Sequence, residues 1–350
     1  MKQYDVAIVG GGPAGMATAL AVHNQGLRVV VMEASHPPLD KACGEGMMSD
    51  SLAVLRKLGI HLTVENGMPF KGIRFLGPTN TVQAEFPAEP ALGVRRTTLH
   101  AKLIERAESA GIKIHWASPL RALEQNAVIC KDARCEARWI VGADGLNSNV
   151  RRWTGLNHFA WNRQRLGLRQ HFAVKPWSGY VDVHWGEQCQ CYITPIGPEE
   201  ISVAFLSRNK QARFGELLRL FPEVADRMEG AKPTSSVRGA LTGMRKVKRV
   251  YKRNVALVGD AAGTVDAITG QGIGLAMKQA EALAHAFVAE NLRQYARRHA
   301  AIMRRPTLMA AGLLLMDQHA LIRNAAMRVL AHNPKSFRKL LALHVSFQQV

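Results

Sequence analysis

The amino-acid sequence predicts an α/β fold that combines a parallel sheet, an inserted antiparallel sheet and a C-terminal helical segment. Short apolar runs at 6–9, 139–142 and 254–258 have the composition of buried parallel strands, and each reaches a glycine. Residues 163–207 alternate apolar and polar side chains over several strand-length runs, which is typical of an antiparallel sheet. Apolar residues at helical spacing after Gly272 predict a long helix.

The first strand leads into a glycine-rich turn. Residues 6–9 are followed by Gly10, Gly12 and Gly15, at G-x-G-x-x-G spacing. The first glycine permits a sharp turn, the second lets a pyrophosphate approach the backbone, and the third lets a helix pack against the strand. The pattern predicts a dinucleotide-binding βαβ unit. A glycine-rich turn without a ligand is the alternative.

The sequence also predicts the helix and the second strand of this unit. Pro13 and Ala14 begin the helix, whose free N–H groups suit a phosphate, and Gly26 is placed to end it. A second apolar strand over 27–32 ends in Glu33, 18 residues after the last glycine of the turn. An acid at that point would bind an adenosine ribose through its hydroxyls, so FAD and NAD fit and NADP fits poorly.

Other segments suggest further contacts with a flat, anionic ligand. Cys43 and Gly44 lie in a glycine-rich loop whose backbone could approach such a ligand, although plain turn chemistry is the alternative. Arg96, just before a predicted helix, could reach a pyrophosphate. Residues 60–95 read as short antiparallel strands and 119–137 as a hairpin.

Composition limits the class of protein. A chain of 350 residues with 47% hydrophobic content suggests two closely joined domains. No apolar run reaches the length of a membrane span, and the N-terminal apolar stretch is explained by the βαβ unit, so we expect a cytoplasmic protein. Five cysteines without metal-ligand spacing are expected to be reduced thiols, and no metal site is expected.

Positive charge is the strongest compositional signal. The net charge is +19, and residues 293–350 hold ten Lys or Arg and one acid. Several interpretations of this charge are open: it binds an anionic membrane surface, a carrier protein or an acidic substrate, or it is merely a solvated face. Nucleic acid is disfavoured because aromatic residues are only 6% and no nucleic-acid-binding motif is present.

Three separated motifs carry a family resemblance: GGGPAG at 10–15, GADGLNSNVR at 142–151 and GDAAGTVDAITGQGIGLA at 259–276. With them the chain resembles the superfamily of FAD-dependent aromatic hydroxylases (group A flavoprotein monooxygenases), halogenases and geranylgeranyl reductases. The resemblance implies a glutathione-reductase-like FAD-binding Rossmann fold. It also selects FAD as the cofactor. NAD(P)H is expected to bind only transiently, as the reductant, because the sequence has no second G-x-G-x-x-G for a nucleotide domain of its own.

The resemblance implies roles for single residues. Glu33 would bind the adenosine ribose, Arg96 the pyrophosphate or ribityl region, and Asp260 the ribityl chain. Asp144 would organise the pyrophosphate side, with a helix-capping or turn role as the alternative. The positive end of the helix that opens at 270–273 would face the flavin pyrimidine. The cofactor-binding set is therefore Gly10, Gly12, Pro13, Ala14, Gly15, Glu33, Cys43, Gly44, Arg96, Asp144, Asp260, Gly270, Gln271, Gly272 and Ile273.

The resemblance also implies an activity. The first hypothesis is a NAD(P)H-dependent monooxygenase that hydroxylates an aromatic or polyketide-like substrate through a flavin C4a-hydroperoxide. A reductase of prenyl or lipid double bonds is the alternative, and a halogenase or a non-catalytic flavoprotein carries less weight. Ala267 stands where many relatives have proline. No catalytic residue is assigned, although His171, His184 and Tyr192 could line a substrate cavity.

The predicted domain organisation follows the motifs. An FAD-binding domain would comprise 1–70, 95–160 and 245–292, and a substrate-binding sheet domain 71–94 and 161–244, followed by basic helices over 293–350. We expect a small-molecule substrate that is acidic, lipid-like or carrier-bound, with peripheral membrane contact as an option and no nucleic acid.

Overall fold

A computed structural model describes residues 3–78, 80–87, 89–131 and 133–345. Parts of the predicted segments 60–95, 119–137 and 293–350 fall on residues 79, 88, 132 and 346–350, which lie outside the described residues.

The secondary structure contains both strands and helices. The strands are β1 Tyr4–Val9, β2 Val29–Met32, β3 Gly46–Met47, β4 Met68–Phe70, β5 Gly72–Leu76, β6 Thr81–Glu85, β7 Ala91–Gly93, β8 Lys113–His115, β9 Leu120–Glu124, β10 Ala127–Cys130, β11 Arg134–Gly142, β12 Phe159–Asn162, β13 Arg165–Ala173, β14 Tyr180–Trp185, β15 Cys189–Gly197, β16 Glu200–Ser207, β17 Lys232–Pro233, β18 Arg238–Thr242, β19 Arg245–Val247, β20 Tyr251–Lys252, β21 Val255–Leu257 and β22 Gly263–Thr264. The helices are α1 Pro13–His23, α2 Ser49–Lys57, α3 Arg96–Ser109, α4 Asn149–Trp153, α5 Phe214–Leu218, α6 Pro222–Arg227, α7 Gly272–Val288, α8 Leu292–Gln318, α9 Ala320–His332 and α10 Pro334–Val345.

A sheet with a parallel centre, β21-β11-β1-β2-β8, and antiparallel additions from β20, β10 and β9 forms the first half of the architecture. Its order is β20-β21-β11-β1-β2-β8, in which β1 lies between β11 and β2 and pairs with both in parallel. The side chains of 6–9 are buried because helices cover this strand, as its unbroken apolar run predicted. The three apolar runs of the sequence therefore become neighbouring strands. Their carboxyl ends meet at one edge of the sheet, which is where ligands bind in such folds.

A mostly antiparallel sheet, in which β14 and β5 pair in parallel, forms the second half. Its order is β17-β13-β16-β15-β14-β5-β6, and β18 also pairs with β13. The alternating run at 163–207 supplies β13 to β16, as predicted, and the shorter runs near 72–85 add β5 and β6. One face packs on α5 and α6 through Phe205, Phe214 and Phe221. A mixed α/β fold with parallel and antiparallel sheets is thus confirmed.

Of the C-terminal helices, α8 packs on α7, whereas α9 and α10 pack on β6 of the antiparallel sheet, and here one sequence expectation was wrong. The helical spacing of Leu321, Ala325, Met327 and Leu330 predicts an apolar stripe on α9 that packs on the predicted FAD-binding domain, with Arg323 and Arg328 on a charged outer face. Met327 is buried, but Leu321 is 86% exposed. The reason is geometric: α9 contacts β6 through the face that carries Arg323 and Met327, and Leu321 projects from another side of the helix.

A buried ionic cluster fastens the end of α8 to the antiparallel sheet. The Arg165 guanidinium lies 3.3 Å from an Asp266 oxygen and 3.7 Å from an Asp317 oxygen, and all three side chains are buried. Gln190 donates a hydrogen bond to Asp317. Because Asp266 precedes the short turn before Gly270, this cluster joins the C-terminal helices to the loop in front of α7.

Candidate active site

A long cleft of about 880 Å³ lies at the carboxyl edge of the parallel sheet. The loops that follow β1, β2, β11 and β21 form its walls, because parallel strands deliver their following loops to the same edge. Ten residues of the predicted cofactor set line it: Gly10, Gly12, Pro13, Ala14, Glu33, Arg96, Asp144, Asp260, Gly272 and Ile273.

The glycine turn has the geometry that its spacing predicted. Gly10 has φ +109°, and a Cβ there would lie 2.4 Å from the Ala143 carbonyl oxygen. Gly15 does not line the cleft; a Cβ on it would lie 1.8 Å from the Gly10 carbonyl oxygen, so it is needed for packing. A Cβ on Gly12 would meet no atom within 4 Å and would instead take up space in the cleft. The turn thus leaves an open cradle beside the start of α1.

Glu33 and His100 hold this turn in place. Glu33 Oε2 accepts a hydrogen bond from the Gly11 amide at 2.6 Å, and Oε1 accepts one from the Ser35 amide at 2.9 Å. His100 Nδ1 accepts from the Leu39 amide at 3.3 Å, so its Nε2 carries the proton and donates to the Gly11 carbonyl at 2.7 Å. Burial lowers the pKa of His100, which favours this neutral form. The sequence analysis did not find His100.

Asp144 combines a structural role with a place in the cleft. Its Oδ2 accepts hydrogen bonds from the amides of Asn149 and Val150, at 2.6 and 3.1 Å, and so caps α4. Its Oδ1 is buried without a partner among the described atoms. The capping alternative is therefore observed, while one oxygen remains for a ligand.

Arg151, from the second sequence motif, ties two loops of the cleft together. Its guanidinium is buried and donates to the Leu146 carbonyl at 2.7 Å and to the Ala261 carbonyl at 3.0 Å. It also donates to Asn157 Oδ1 at 3.1 Å. Because Leu146 follows β11 and Ala261 follows β21, Arg151 fixes the spacing of two neighbouring walls.

The charges in the cleft suit a pyrophosphate and a sugar alcohol. Asp260 faces the cleft and forms an ion pair with Lys41 at 3.1 Å, each side chain being about two-fifths exposed. Arg96 also lines the cleft, and its Nε is buried without a partner among the described residues. Two cations, an orphaned guanidinium nitrogen and an open glycine cradle together fit a dinucleotide. Among the described residues no group of three or more His, Cys, Asp or Glu could hold a metal ion.

A second cavity, of about 750 Å³, continues from the cleft. Arg96, Leu146, Asp260, Gly272 and Ile273 line both spaces, so the two meet at the start of α7. The remaining wall of the second cavity is mostly apolar and comes from one face of the antiparallel sheet and from the C-terminal helices.

The remaining predicted cofactor residues lie near this second cavity. Cys43, Gly44 and Gly270 line it. Burial raises the pKa of the Cys43 thiol, so it is held in the neutral form. Gln271 lines neither space, because its side chain is buried against α10 and donates to the His344 carbonyl at 2.6 Å.

Of three candidate substrate-side residues, only Tyr192 lines the cavity. Its hydroxyl donates to the Ile268 carbonyl at 3.3 Å, and burial raises its pKa, so it is a positioned, protonated hydroxyl. His171 instead lies 2.6 Å from the buried Glu45 carboxylate. His184 is not among the lining residues either, so neither histidine faces the substrate space.

Glu45 links the glycine-rich loop to α3 and the antiparallel sheet. Its carboxylate accepts from the Arg96 amide at 3.0 Å, at the start of α3, and binds His171 of β13. Arg169 lies 3.8 Å away, and all of these side-chain contacts are buried. The loop that carries Cys43 and Gly44 is therefore held between the two cavities by one charged side chain.

Comparison with known proteins identifies the family that uses such a site. Residues 3–235 match a family model described as an FAD binding domain. The chain belongs to this family. FAD is therefore the cofactor, and the resemblance to FAD-dependent oxidoreductases drawn from the three motifs is confirmed.

Individual relatives have low sequence identity to this chain, but the matches extend over most of its length. The menaquinone reductase of Mycolicibacterium smegmatis is 26% identical over 299 residues, which are 77% of this chain and 72% of the relative. The 3-demethoxyubiquinol 3-hydroxylase of Escherichia coli is 26% identical over 330 residues, which are 83% of this chain and 81% of the relative. Among solved structures, a flavoprotein/dehydrogenase from Cytophaga hutchinsonii has a TM-score of 0.83 at 18% identity, covering 97% of this chain and 92% of its own. That likeness shows the fold alone.

Proposed function

We propose that the protein is an NAD(P)H-dependent FAD monooxygenase that hydroxylates an aromatic or polyketide-like substrate. The observation that carries this proposal is the junction of a charged cleft with a mostly apolar cavity at the start of α7. A redox cofactor in the cleft would present its reactive ring at that junction. A substrate in the cavity would lie directly against it.

In this proposal the predicted residues hold FAD in the cleft. Gly12 and the start of α1 receive the pyrophosphate, and Arg96 balances its charge. The Glu33 carboxylate accepts hydrogen bonds from the adenosine ribose hydroxyls, either in place of its contacts with the Gly11 and Ser35 amides or in addition to them. Asp260 binds the ribityl chain in place of its exposed partner Lys41. The parallel-sheet part then serves as a glutathione-reductase-like FAD-binding domain, and the inserted antiparallel sheet as the substrate domain, with the boundaries given in the sequence analysis.

FAD supplies the electron transfer and oxygen chemistry, and the protein supplies position and field. The N-terminus of α7 places unpaired backbone N–H groups and a partial positive charge at the junction, where they stabilise negative charge on a reduced ring. The buried Tyr192 hydroxyl holds the carbonyl of Ile268 and so shapes the cavity wall. The apolar wall excludes water from the reacting centre.

A second candidate activity is reduction of a prenyl or lipid double bond. The mostly apolar cavity favours it, since such a substrate needs a long apolar site. The relative named a menaquinone reductase also supports a reductase, whereas the relative named a 3-demethoxyubiquinol 3-hydroxylase supports a hydroxylase. A cytoplasmic location stays a prediction.

The test is reoxidation of the NAD(P)H-reduced protein under air and under argon, with an aromatic quinol and a prenyl lipid as trial substrates. Reoxidation that needs both O₂ and the quinol supports the monooxygenase. Reoxidation by the prenyl lipid under argon supports the reductase instead. Loss of colour from the protein on purification, with no FAD recovered, would contradict both.

A matched pair of variants tests the cavity. Ala204 lies opposite Tyr192 in the sheet and lines the cavity, so Ala204→Phe should fill it. Ala225, on α6, is equally half-buried but lies outside the cavity. Ala204→Phe should keep FAD and lose substrate-dependent reoxidation, and Ala225→Phe should keep both. Equal behaviour of the two variants would remove the substrate role of this cavity.

A further inference from the structure

The C-terminal helices expose an unusual number of apolar side chains. Seven of the thirteen large exposed apolar residues among the described positions lie on α8, α9 and α10. Six of them define what is called here the apolar rim: Leu308, Leu315, Leu321, Ile322, Val329 and Leu340. Exposed apolar side chains concentrated on three neighbouring helices are typical of an interaction surface.

Three residues of the apolar rim lie at an opening of the second cavity. Leu308, Ile322 and Leu340 line the cavity and are at the same time 67%, 40% and 45% exposed. Each comes from a different helix. The cavity that meets the cofactor cleft therefore reaches the surface between α8, α9 and α10. A ligand entering there passes from an apolar surface into an apolar interior.

Basic side chains stand beside the apolar rim. Arg304 precedes Leu308 by one helical turn, Arg328 is adjacent to Val329, and Lys339 is adjacent to Leu340. All three basic residues are exposed, and none forms an ion pair with a described carboxylate. The single acid of 293–345, Asp317, is buried in the ionic cluster with Arg165. The exposed charge of these helices is thus entirely positive.

We infer that this face docks the protein on an anionic lipid bilayer, so that a lipid-soluble substrate enters the cavity through the apolar rim. Apolar side chains inserted at the level of the headgroups, with Arg and Lys beside them, match the recognised pattern of interfacial helices. A second copy of this chain does not fit, since two positive faces repel each other. A bilayer supplies anionic headgroups and an apolar cargo together. None of the helices in the described part of the chain has the length and apolar content of a membrane span.

This inference rests on the proposed function only for the identity of the cargo. The test therefore uses the purified FAD-loaded full chain without substrate or NAD(P)H. Flotation with phosphatidylglycerol vesicles and with phosphatidylcholine vesicles, at low and high salt, measures the partition coefficient. Failure of the redox assay above would leave this measurement interpretable, and the reverse also holds.

Because the whole chain carries a net charge of +19, charge-matched control variants are needed to decide whether this face is responsible for vesicle binding. Each basic residue at an anionic surface is worth about a fivefold factor in partitioning, so Arg328→Gln with Lys339→Gln should weaken binding about 25-fold. The control, Arg121→Gln with Lys210→Gln, removes the same charge from exposed positions elsewhere and should weaken it far less.

An apolar pair tests insertion in the same way. Leu321→Gln with Val329→Gln changes two exposed rim residues that do not line the cavity and should weaken binding about tenfold or more. Val64→Gln with Leu220→Gln changes exposed apolar residues outside these helices and should have little effect. Unchanged FAD absorbance in every variant shows that folding is retained.

Three results would overturn the inference. They are no flotation with phosphatidylglycerol vesicles at low salt, equal flotation with both lipids, and equal loss for the rim variants and their controls. The last result would assign vesicle binding to the net charge alone. A soluble anionic carrier would then be the better partner for this face.

Discussion

Replacing Arg151 with methionine should weaken both the fold and the retention of FAD. The side chain is buried, and three hydrogen bonds of 2.7 to 3.1 Å join it to Leu146, Ala261 and Asn157. Methionine keeps much of the volume and the apolar contacts but removes the donor from the buried Ala261 carbonyl, whereas the Leu146 carbonyl still accepts from Arg245 at 2.6 Å. The loops after β11 and β21 would lose the clamp that sets their spacing.

The size of the effect follows from opposing contributions. A hydrogen bond to a charged group contributes about 1.5–3 kcal/mol, and an unsatisfied buried acceptor costs about 1–3 kcal/mol. Burial also lowers the pKa of Arg151, which shows that its charge is partly desolvated, and methionine removes that cost. We therefore expect a net loss of about 2–4 kcal/mol in the free energy of unfolding. FAD affinity should fall about tenfold or more, since Leu146 lines both cavities.

The neighbouring Arg152 supplies the control, because it lies on the same short helix but is exposed. Thermal unfolding and FAD retained after ultrafiltration are compared for Arg151→Met and Arg152→Met. Arg151→Lys should recover little, since one ammonium cannot replace a guanidinium that serves both loops. If the Arg151 and Arg152 variants lose the same small amount of stability and FAD, the clamp described here is not important for the site.

Three further changes test the site and its surroundings. Asp260→Ala should weaken FAD binding by roughly 1–3 kcal/mol through a lost ribityl hydrogen bond, and an equilibrium titration with FAD checks this against Asp226→Ala on the distant α6. Glu33→Ala should lower FAD affinity, whereas the exposed Glu223→Ala should not, and equal affinities would contradict the ribose assignment. Burial lowers the pKa of His299 from 6.5 to about 4, so the unfolded chain takes up this proton at a higher pH than the folded protein does. The free energy of unfolding should therefore fall by about 3 kcal/mol as the pH drops from 6.5 to 4. In the His299→Leu variant the melting temperature should change less over that pH range.

The parts of the fold that could be predicted from sequence are those fixed over short chain distances. The turn at Gly10 is one case, because its backbone conformation, φ +109°, excludes most other residues. Gly26 is another: it was expected to end α1 in a left-handed conformation, and its φ is +78°. Neighbouring strands then bring the loops after β2, β11 and β21 to one edge, so Glu33, Asp144 and Asp260 could be grouped without knowing any contact.

Contacts across long chain distances could not be predicted in the same way. His100 meets the glycine turn 89 residues away, and Glu45 meets His171 126 residues away. Neither histidine has a local pattern that distinguishes it from an ordinary buried residue. The exposure of Leu321 was missed for a related reason. Its helix has apolar residues on more than one face, and the positions of β6, α8 and α10 decide which face is covered.

The positively charged side chains lie in two different environments, buried and exposed, and added salt should weaken only the interactions of the exposed ones. Arg151, Arg165 and Arg169 are buried and each meets a carbonyl or carboxylate partner, so ions in solution reach them little. Arg328 and Lys339 are exposed, and attraction from such charges is screened beyond about 8 Å at physiological salt. Raising NaCl from low to about 1 M, where the screening length is about 3 Å, should therefore release the protein from anionic vesicles while FAD stays bound. Release of FAD over the same salt range, measured by ultrafiltration, would show that the cofactor is held by exposed charge and that the buried clamp contributes little.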